Sequence, residues 1–271
     1  MALNPSGTLH KFGKLAVRVD NRTLNILKYI DYAKLTDIPV TYNWGEVKKT
    51  GWGQLQNKKL NNCTCAAAGH MIKCWTANAT LEYNVTDKEI IAAYILLTGY
   101  NPKTGENDIG ACAFDALKFW RKTGIAGHKI KAYATVDSKD RKAIKSSIFL
   151  FGGLYIGIQL PISIAGKHIW NLLPGDLTGD NAVGSYGGHA INALAYDEHY
   201  ITCVSWGKKI KMTWDFFDAY ADEVYAIITE DFFDGSKTPS GLDMNALKFE
   251  LNKITEQKKT LAMQLSEYGR L

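Results

Sequence analysis

The sequence predicts an α+β fold: a helical lobe, then a β-rich lobe, then a C-terminal amphipathic helix. Three observations point that way. Three stretches between residues 64 and 122 carry helix start and stop signals. Apolar runs of strand length replace them between 129 and 229. From Gly241 onward, Leu247, Leu251, Ile254, Leu261, Leu265 and Tyr268 fall on one seam, with Lys258 as its interruption. Helices grouped before strands argue for segregated α+β lobes and against alternating βαβ units.

Each element has a local reason. In residues 1–38 the apolar positions Leu24, Ile26, Leu27, Tyr29 and Ile30 suit either a short helix or an arm packed on the body. Pro39 marks a boundary, because proline disfavours helix in the residue before it. Thr64 to Ala77 reads as a helix whose Ala66, Ala67, Ala68 and Gly69 permit close approach by neighbours. A second helix spans about Asp87 to Leu97, with Thr86 as N-cap, Glu89 at the capping-box position and Gly99 as stop. A third covers about Ala111 to Lys122 and ends before Gly124. Lys129 to Val136 alternates like a strand, and Ser138 to Ser147 reads as a short helix. The apolar run Ile148 to Ile164, broken by glycines and Pro161, reads as two buried strands; it is too short and interrupted to span a bilayer. Leu154 to Leu160, Ala190 to Tyr196, Tyr200 to Ser205 and Val224 to Thr229 are the clearest strands. The C-terminal seam either packs on the chain's own body or joins copies, so a homo-oligomer or larger assembly through 242–271 is one expectation.

Composition narrows the function classes. An apolar fraction of 46% with 22% charged residues argues against disorder. The net charge of +5 is spread over short pairs such as Lys48-Lys49, Lys58-Lys59, Arg121-Lys122 and Lys208-Lys209, without interleaved aromatics, so no specific nucleic-acid partner is expected. No membrane span is expected either. Met1 to Asp20 lacks an apolar secretion segment, and five cysteines without framework spacing suit reduced thiols in a cytoplasmic compartment, or in a virion if the chain is phage-encoded.

The chemistry concentrates in two places. Asn57 to Leu60 open a polar loop that ends at Asn62-Cys63, and the alanine-rich helix follows at once. A cysteine at a helix N-terminus meets the positive end of the macrodipole, which favours thiolate. Far downstream, Gly187-Gly188-His189-Ala190 places a lone histidine in a glycine-flanked apolar run. Together they are the material of a nucleophile–base pair assembled by the fold. Cys65 is the rival nucleophile, and a buried structural thiol and a structural histidine are the plain alternatives for Cys63 and His189. Cys63, Cys65, His70 and Cys74 do not match common zinc spacings, so neither metal nor other cofactor is expected.

In order and spacing, residues 39–230 resemble the papain-like cysteine peptidases. Ile38-Pro39 and Trp44, then Cys63, Asp108-Ile109-Gly110, Ala116-Leu117, Gly124-Ile125, Gly152-Gly153, Gly188-His189-Ala190, Tyr200-Ile201 and Ser205-Trp206-Gly207 follow the family's sequence of landmarks. The resemblance implies an N-terminal arm over 1–38, a helical lobe over about 39–127, a β-rich lobe over about 128–230 and a helical extension over 231–271. It also implies peptide or other amide hydrolysis or transfer, with a peptide or protein substrate. Cys63 would be the nucleophile, His189 the proton acceptor and donor, and Asn57, six positions before Cys63, the oxyanion donor. One such donor contributes roughly 3 kcal/mol to the transition state. Trp206 would shield the histidine. The chain departs from the pattern at Cys63-Thr64-Cys65-Ala66-Ala67 and at Val204, which stands where the family places the asparagine that orients the histidine. Ser205, or a backbone carbonyl, could take over that task. These departures suit a divergent bacterial or phage relative, or a catalytically silent scaffold. An active pair would need the Cys63 sulfur within reach of a His189 ring nitrogen at the floor of an open cleft.

Overall fold

A computed structural model describes residues 10–18, 20, 23–25, 38–47, 50–79, 81–234 and 237–241. The C-terminal seam at 242–271 therefore lies outside the described residues, as do 1–9 and 26–37 of the arm.

The alanine-rich stretch forms α1, Cys63–Ala79, which is buried from Cys63 through Thr76. Such a helix has no solvent face, in keeping with its apolar and small residues all round. Its first intrahelical bond runs from Ala66 N–H to the Asn62 carbonyl at 2.9 Å, so Cys63 opens the helix. Gly69 is needed for packing: a Cβ there would lie 2.8 Å from Ile90 Cδ1 and Leu55 Cδ1. Helix α2, Asp87–Thr98, carries the expected capping box of Thr86 and Glu89, and Gly99 ends it in the left-handed conformation at φ 75°. Helix α3, Ala113–Lys122, starts two residues later than expected, because Ala111 is engaged in a bridge to Lys14 and Cys112 serves as cap.

The second half builds one sheet. Its strands are β1 Leu24–Asn25, β2 Tyr42–Asn43, β3 Ile130–Thr135, β4 Leu154–Leu160, β5 Ile169–Trp170, β6 Gly187–Tyr196, β7 Tyr200–Ser205, β8 Lys208–Thr213 and β9 Ala221–Thr229. Among the described residues their order is β1-β3-β9-β4-β6-β7-β8-β5, with β2 also on β6. Helix α4, Arg141–Phe151, replaces the first of the two strands expected over 148–164. The reason is periodic: Ala143, Ser147 and Phe151, with Ile144 and Ile148, keep one buried helical face through the apolar run. Gly152, left-handed at φ 69°, then turns the chain into β4. Strand β8 and the helix α5, Trp214–Tyr220, were not expected. Yet β8 buries Ile210 and Met212 between outward lysines, and Thr213 caps α5 by accepting from Phe216 N–H.

The arm belongs to the body wherever it is described. Strand β1 pairs in parallel with β3 at the sheet edge. Packing also continues past 230: Phe232 is buried with its ring 5.0 Å from Trp44, and Ser240 donates to the Leu150 carbonyl at 2.9 Å. The α+β architecture with a helical and a β-rich part is as expected, and α1 stands against β6, which brings the start of the buried helix to the histidine strand.

Candidate active site

Cys63 lies at the first turn of α1 and is fully buried. Burial pushes its thiol up to about 11; backbone N–H groups of Ala190 and Gly13, the Lys14 charge and the Thr64 N–H pull the other way. The Ala190 contact brings the sulfur to the residue that follows His189. Cys65 is pushed higher, to about 12, again by burial, with the neighbouring Cys63 adding to it. Among the described residues no disulfide forms, and all five cysteines are buried.

His189 is also fully buried, on β6 opposite Ile158 of β4. Its Nε2 is 2.9 Å from Ser205 Oγ at the end of β7. The Trp206 indole stacks on the imidazole with centroids 4.5 Å apart and planes 16° from parallel. Trp206 sits at φ 47°, an uncommon backbone for a bulky residue, held by the turn between β7 and β8. Val204 pairs with Asn192 in the sheet, so the hydroxyl of its neighbour Ser205 stands at the ring nitrogen. Burial, with His10 and His70 nearby, lowers the His189 pKa to about 3. Its Nδ1 has no hydrogen-bond partner among the described residues, the Cys63 sulfur included. The two side chains thus face neighbouring parts of the cleft without a direct hydrogen bond, and burial favours the neutral form of each.

Asn57 is buried in the loop before α1, where among the described residues its Nδ2 donates within its own turn, to the Leu60 carbonyl at 3.5 Å. His70 instead bonds the Gly53 carbonyl at 2.9 Å, and no metal-binding group of His, Cys, Asp and Glu occurs among the described residues. No helix among them is long and apolar enough to cross a membrane.

The cleft is not open, contrary to what an active pair requires. Residues 10–15 of the arm run through it as an extended peptide. Ala111 N–H donates to the Gly13 carbonyl at 2.8 Å, and Leu15 N–H donates to the Ala111 carbonyl at 3.1 Å. On the other wall, Lys14 N–H donates to the Gly188 carbonyl at 3.1 Å. Glycines clear the path: a Cβ on Gly188 would lie 2.4 Å from the Lys14 carbonyl oxygen, and one on Gly13 would fall 1.6 Å from the Asn61 carbonyl oxygen. Phe12 packs on Tyr186 at 4.4 Å and edge-on to His189 at 5.9 Å, while His10 lies on Trp206 at 4.2 Å. The Lys14 side chain, fully buried, ion-pairs with Asp222 at 2.8 Å and Glu223 at 3.0 Å. Reading the sequence allowed an arm packed on the body but did not place it in the cleft or find its acidic pocket. The available signals were Gly187-Gly188, which allow close backbone packing, and a lone lysine in an otherwise apolar Phe12-to-Val17 stretch.

No protein-family profile matches the chain, and no curated protein matches it in sequence. Solved structures do resemble it. Xylellain, a cysteine protease from Xylella fastidiosa, superposes with a TM-score of 0.63 at 16% identity, over 82% of this chain and 97% of that one. Procathepsin B S9 from Trypanosoma congolense gives 0.57 at 10% identity, over 82% and 87%. The digestive procathepsin L 3 of Tenebrio molitor larval midgut gives 0.53 at 7% identity, over 82% and 76%. The fold is therefore that of the papain-like cysteine proteases.

Proposed function

We propose that the chain is a latent papain-like thiol hydrolase or transferase acting on a peptide or another amide. One observation carries this reading: the cleft beside Cys63 and His189 already holds an extended peptide by main-chain hydrogen bonds from both walls, and that peptide is the chain's own arm. Backbone bonds of this kind accept any sequence, which suits a peptide substrate. Two of the similar structures are proenzymes by name, which agrees with a covered cleft.

With the arm displaced, water reaches the sulfur and the cost of a buried thiolate falls, while the N–H groups at the start of α1 still favour the anion. His189 takes the thiol proton. The thiolate attacks the amide carbon, and the developing oxyanion meets the Cys63 N–H and, in this reading, the Asn57 amide. The tetrahedral intermediate collapses to a thioester as His189 protonates the leaving amine. Water, or another nucleophile, then releases the acyl group and restores the thiol. Ser205 positions the imidazole and Trp206 keeps bulk water from it.

The covered cleft and the neutral pair also favour a second reading, a silent papain-like scaffold that assembles through 242–271. Gly13→Leu in the full chain separates the two, because any side chain at Gly13 collides with the Asn61 carbonyl and should displace the arm. The enzyme reading expects cleavage of a peptide mixture, read by mass spectrometry, that vanishes in Gly13→Leu/Cys63→Ala. If Gly13→Leu exposes Cys63 to alkylation yet cleaves nothing, the scaffold reading takes its place.

A further inference from the structure

We infer that the cavity beside His10 and Trp206 binds a phosphate-type oxyanion, and that the bound anion fastens the arm over Cys63. This goes beyond the proposed function, because it concerns the cover of the cleft and not turnover.

The arm covers Cys63 and His189, yet a cavity of about 330 Å³ remains next to it, with His10 in its wall. The charge around this cavity has one sign. Lys58, Lys167, Lys208 and His168 of the body line it together with His10 of the arm, and no Asp or Glu does so among the described residues. None of the three lysines has a carboxylate partner among those residues either. Cations gathered around a recess raise the local concentration of anions. The ring nitrogens of the wall ask for the same ligand. His10 Nδ1 and Trp206 Nε1 have no hydrogen-bond partner among the described residues, and an indole nitrogen can only donate. Burial lowers the His10 pKa, and the Lys58 and Lys208 charges lower it further, so both charges reach the ring. An oxyanion among them cancels that repulsion and brings acceptors to a wall of donors.

The body's share of the site is preset. A Cβ on Gly207 would lie 2.7 Å from the Gly53 carbonyl oxygen, so the turn that leads to Lys208 and the loop that leads to Lys58 meet backbone to backbone. That loop is closed by its own bonds, Asn57 N–H to the Gln54 carbonyl and Lys59 N–H to the Gln56 carbonyl, each at 2.9 Å. Such preorganisation lowers the cost of binding a ligand. The arm's share is removable: His10 lies with its ring 4.2 Å from that of Trp206, and it departs when the arm does. A ligand that meets His10 as well as the body lysines binds the covered chain more tightly than the open one, and by the same factor it favours the cover. The volume exceeds the need of one phosphate ion, so the dianion is either free or the phosphoryl group of a larger molecule.

The test uses the full chain and reads opening of the cleft as the alkylation rate of Cys63 by uncharged iodoacetamide at mildly alkaline pH, resolved by mass spectrometry. Inorganic phosphate should slow the reaction saturably, by about tenfold at ten times its half-saturating concentration. Sodium chloride of equal ionic strength should not. Lys58→Gln/Lys208→Gln and His10→Phe, each measured with and without phosphate, should reduce the effect to less than about twofold. Phenylalanine keeps a ring on Trp206 and removes the nitrogens. Buried Cys203 on β7 reports unfolding; if it alkylates in the lysine variant, His10→Phe carries the test. Where the arm is displaced, as Gly13→Leu should achieve, phosphate should no longer protect Cys63. Phenyl phosphate, run beside the free ion, tells the source: stronger protection assigns a phosphoryl group on an aromatic carrier, weaker protection the free ion. Alkylation that phosphate leaves unchanged or speeds, protection that survives the loss of Lys58 and Lys208, or equal protection with the arm displaced overturns the inference. A chain that phosphate fastens but that cleaves nothing once opened removes the proposed function alone. One that cleaves peptides and ignores phosphate removes this inference alone.

Discussion

The two walls of the cleft hold the Cys63 thiol and the His189 imidazole by different means. On the helical wall, Cys63 is placed by one local event, the start of α1, and the cover over its sulfur includes Gly13 of the arm. On the β wall, His189 is placed by the register of β6 between β4 and β7, and much of its cover, the Trp206 stack and the Ser205 bond, belongs to the body. Burial drives the thiol up to about 11 and the imidazole down to about 3, so one cause favours the neutral form of both. The difference is in what reverses it. Losing the arm removes a wall of the Cys63 pocket, whereas His189 loses Phe12 and His10 but keeps Trp206 and Ser205. The helical wall is the switchable one.

The sharpest break of this comparison is at the proposed nucleophile. In the Gly13→Leu chain, Cys63→Ala should lower peptide turnover by about a thousandfold or more, while Cys65→Ala should stay within about tenfold of its parent. Equal losses would return Cys65 to contention. Next is acid stability. His189 is buried neutral with a lowered pKa, so the unfolded chain binds the proton first. Stability present above the ordinary value near 6.5 is lost as pH falls toward about 3. Chemical denaturation across that window should show a loss of a few kcal/mol, on the order expected for such a shift, that His189→Gln largely removes. Cys63 acts in the opposite window. Its raised pKa withdraws stability as pH climbs from 9.0 toward about 11, and Cys63→Ser should flatten that limb.

A smaller effect tests the arm as the removable cover of Cys63. Gly188→Ala puts a Cβ against the Lys14 carbonyl and should weaken the arm's hold by about 1–3 kcal/mol, seen as faster alkylation of Cys63 with Cys203 still protected. The smallest concerns the β wall. Ser205→Ala removes one buried hydrogen bond, worth about 1 kcal/mol, and should change the His189 ring-nitrogen chemical shifts without uncovering Cys63. Faster alkylation of Cys63 in that variant would mean that the walls are coupled.

What was legible followed from signals that act within a turn or a strand. The Thr86–Glu89 box, the Gly99 and Gly124 stops, the alternation of β3 and the polar loop before Cys63 located three helices, most strands and the elements that carry Cys63 and His189. The fourth helix was cut short because Ile148 to Phe151 is too brief a run for periodicity alone to separate helix from buried strand. The cover and the acidic pocket were out of reach for another reason. Lys14 lies more than two hundred positions from Asp222, and no local pattern states that an arm lysine will be buried against two carboxylates of a distant strand. Even Ser205 could be named only as one option, since whether its hydroxyl meets His189 depends on the β6–β7 register. The sequence by itself determined where the thiol and the imidazole sit on their elements. Tertiary structure alone decided what lies over them, because the cost of burying a charge depends on every group packed around it and not on its neighbours in the chain.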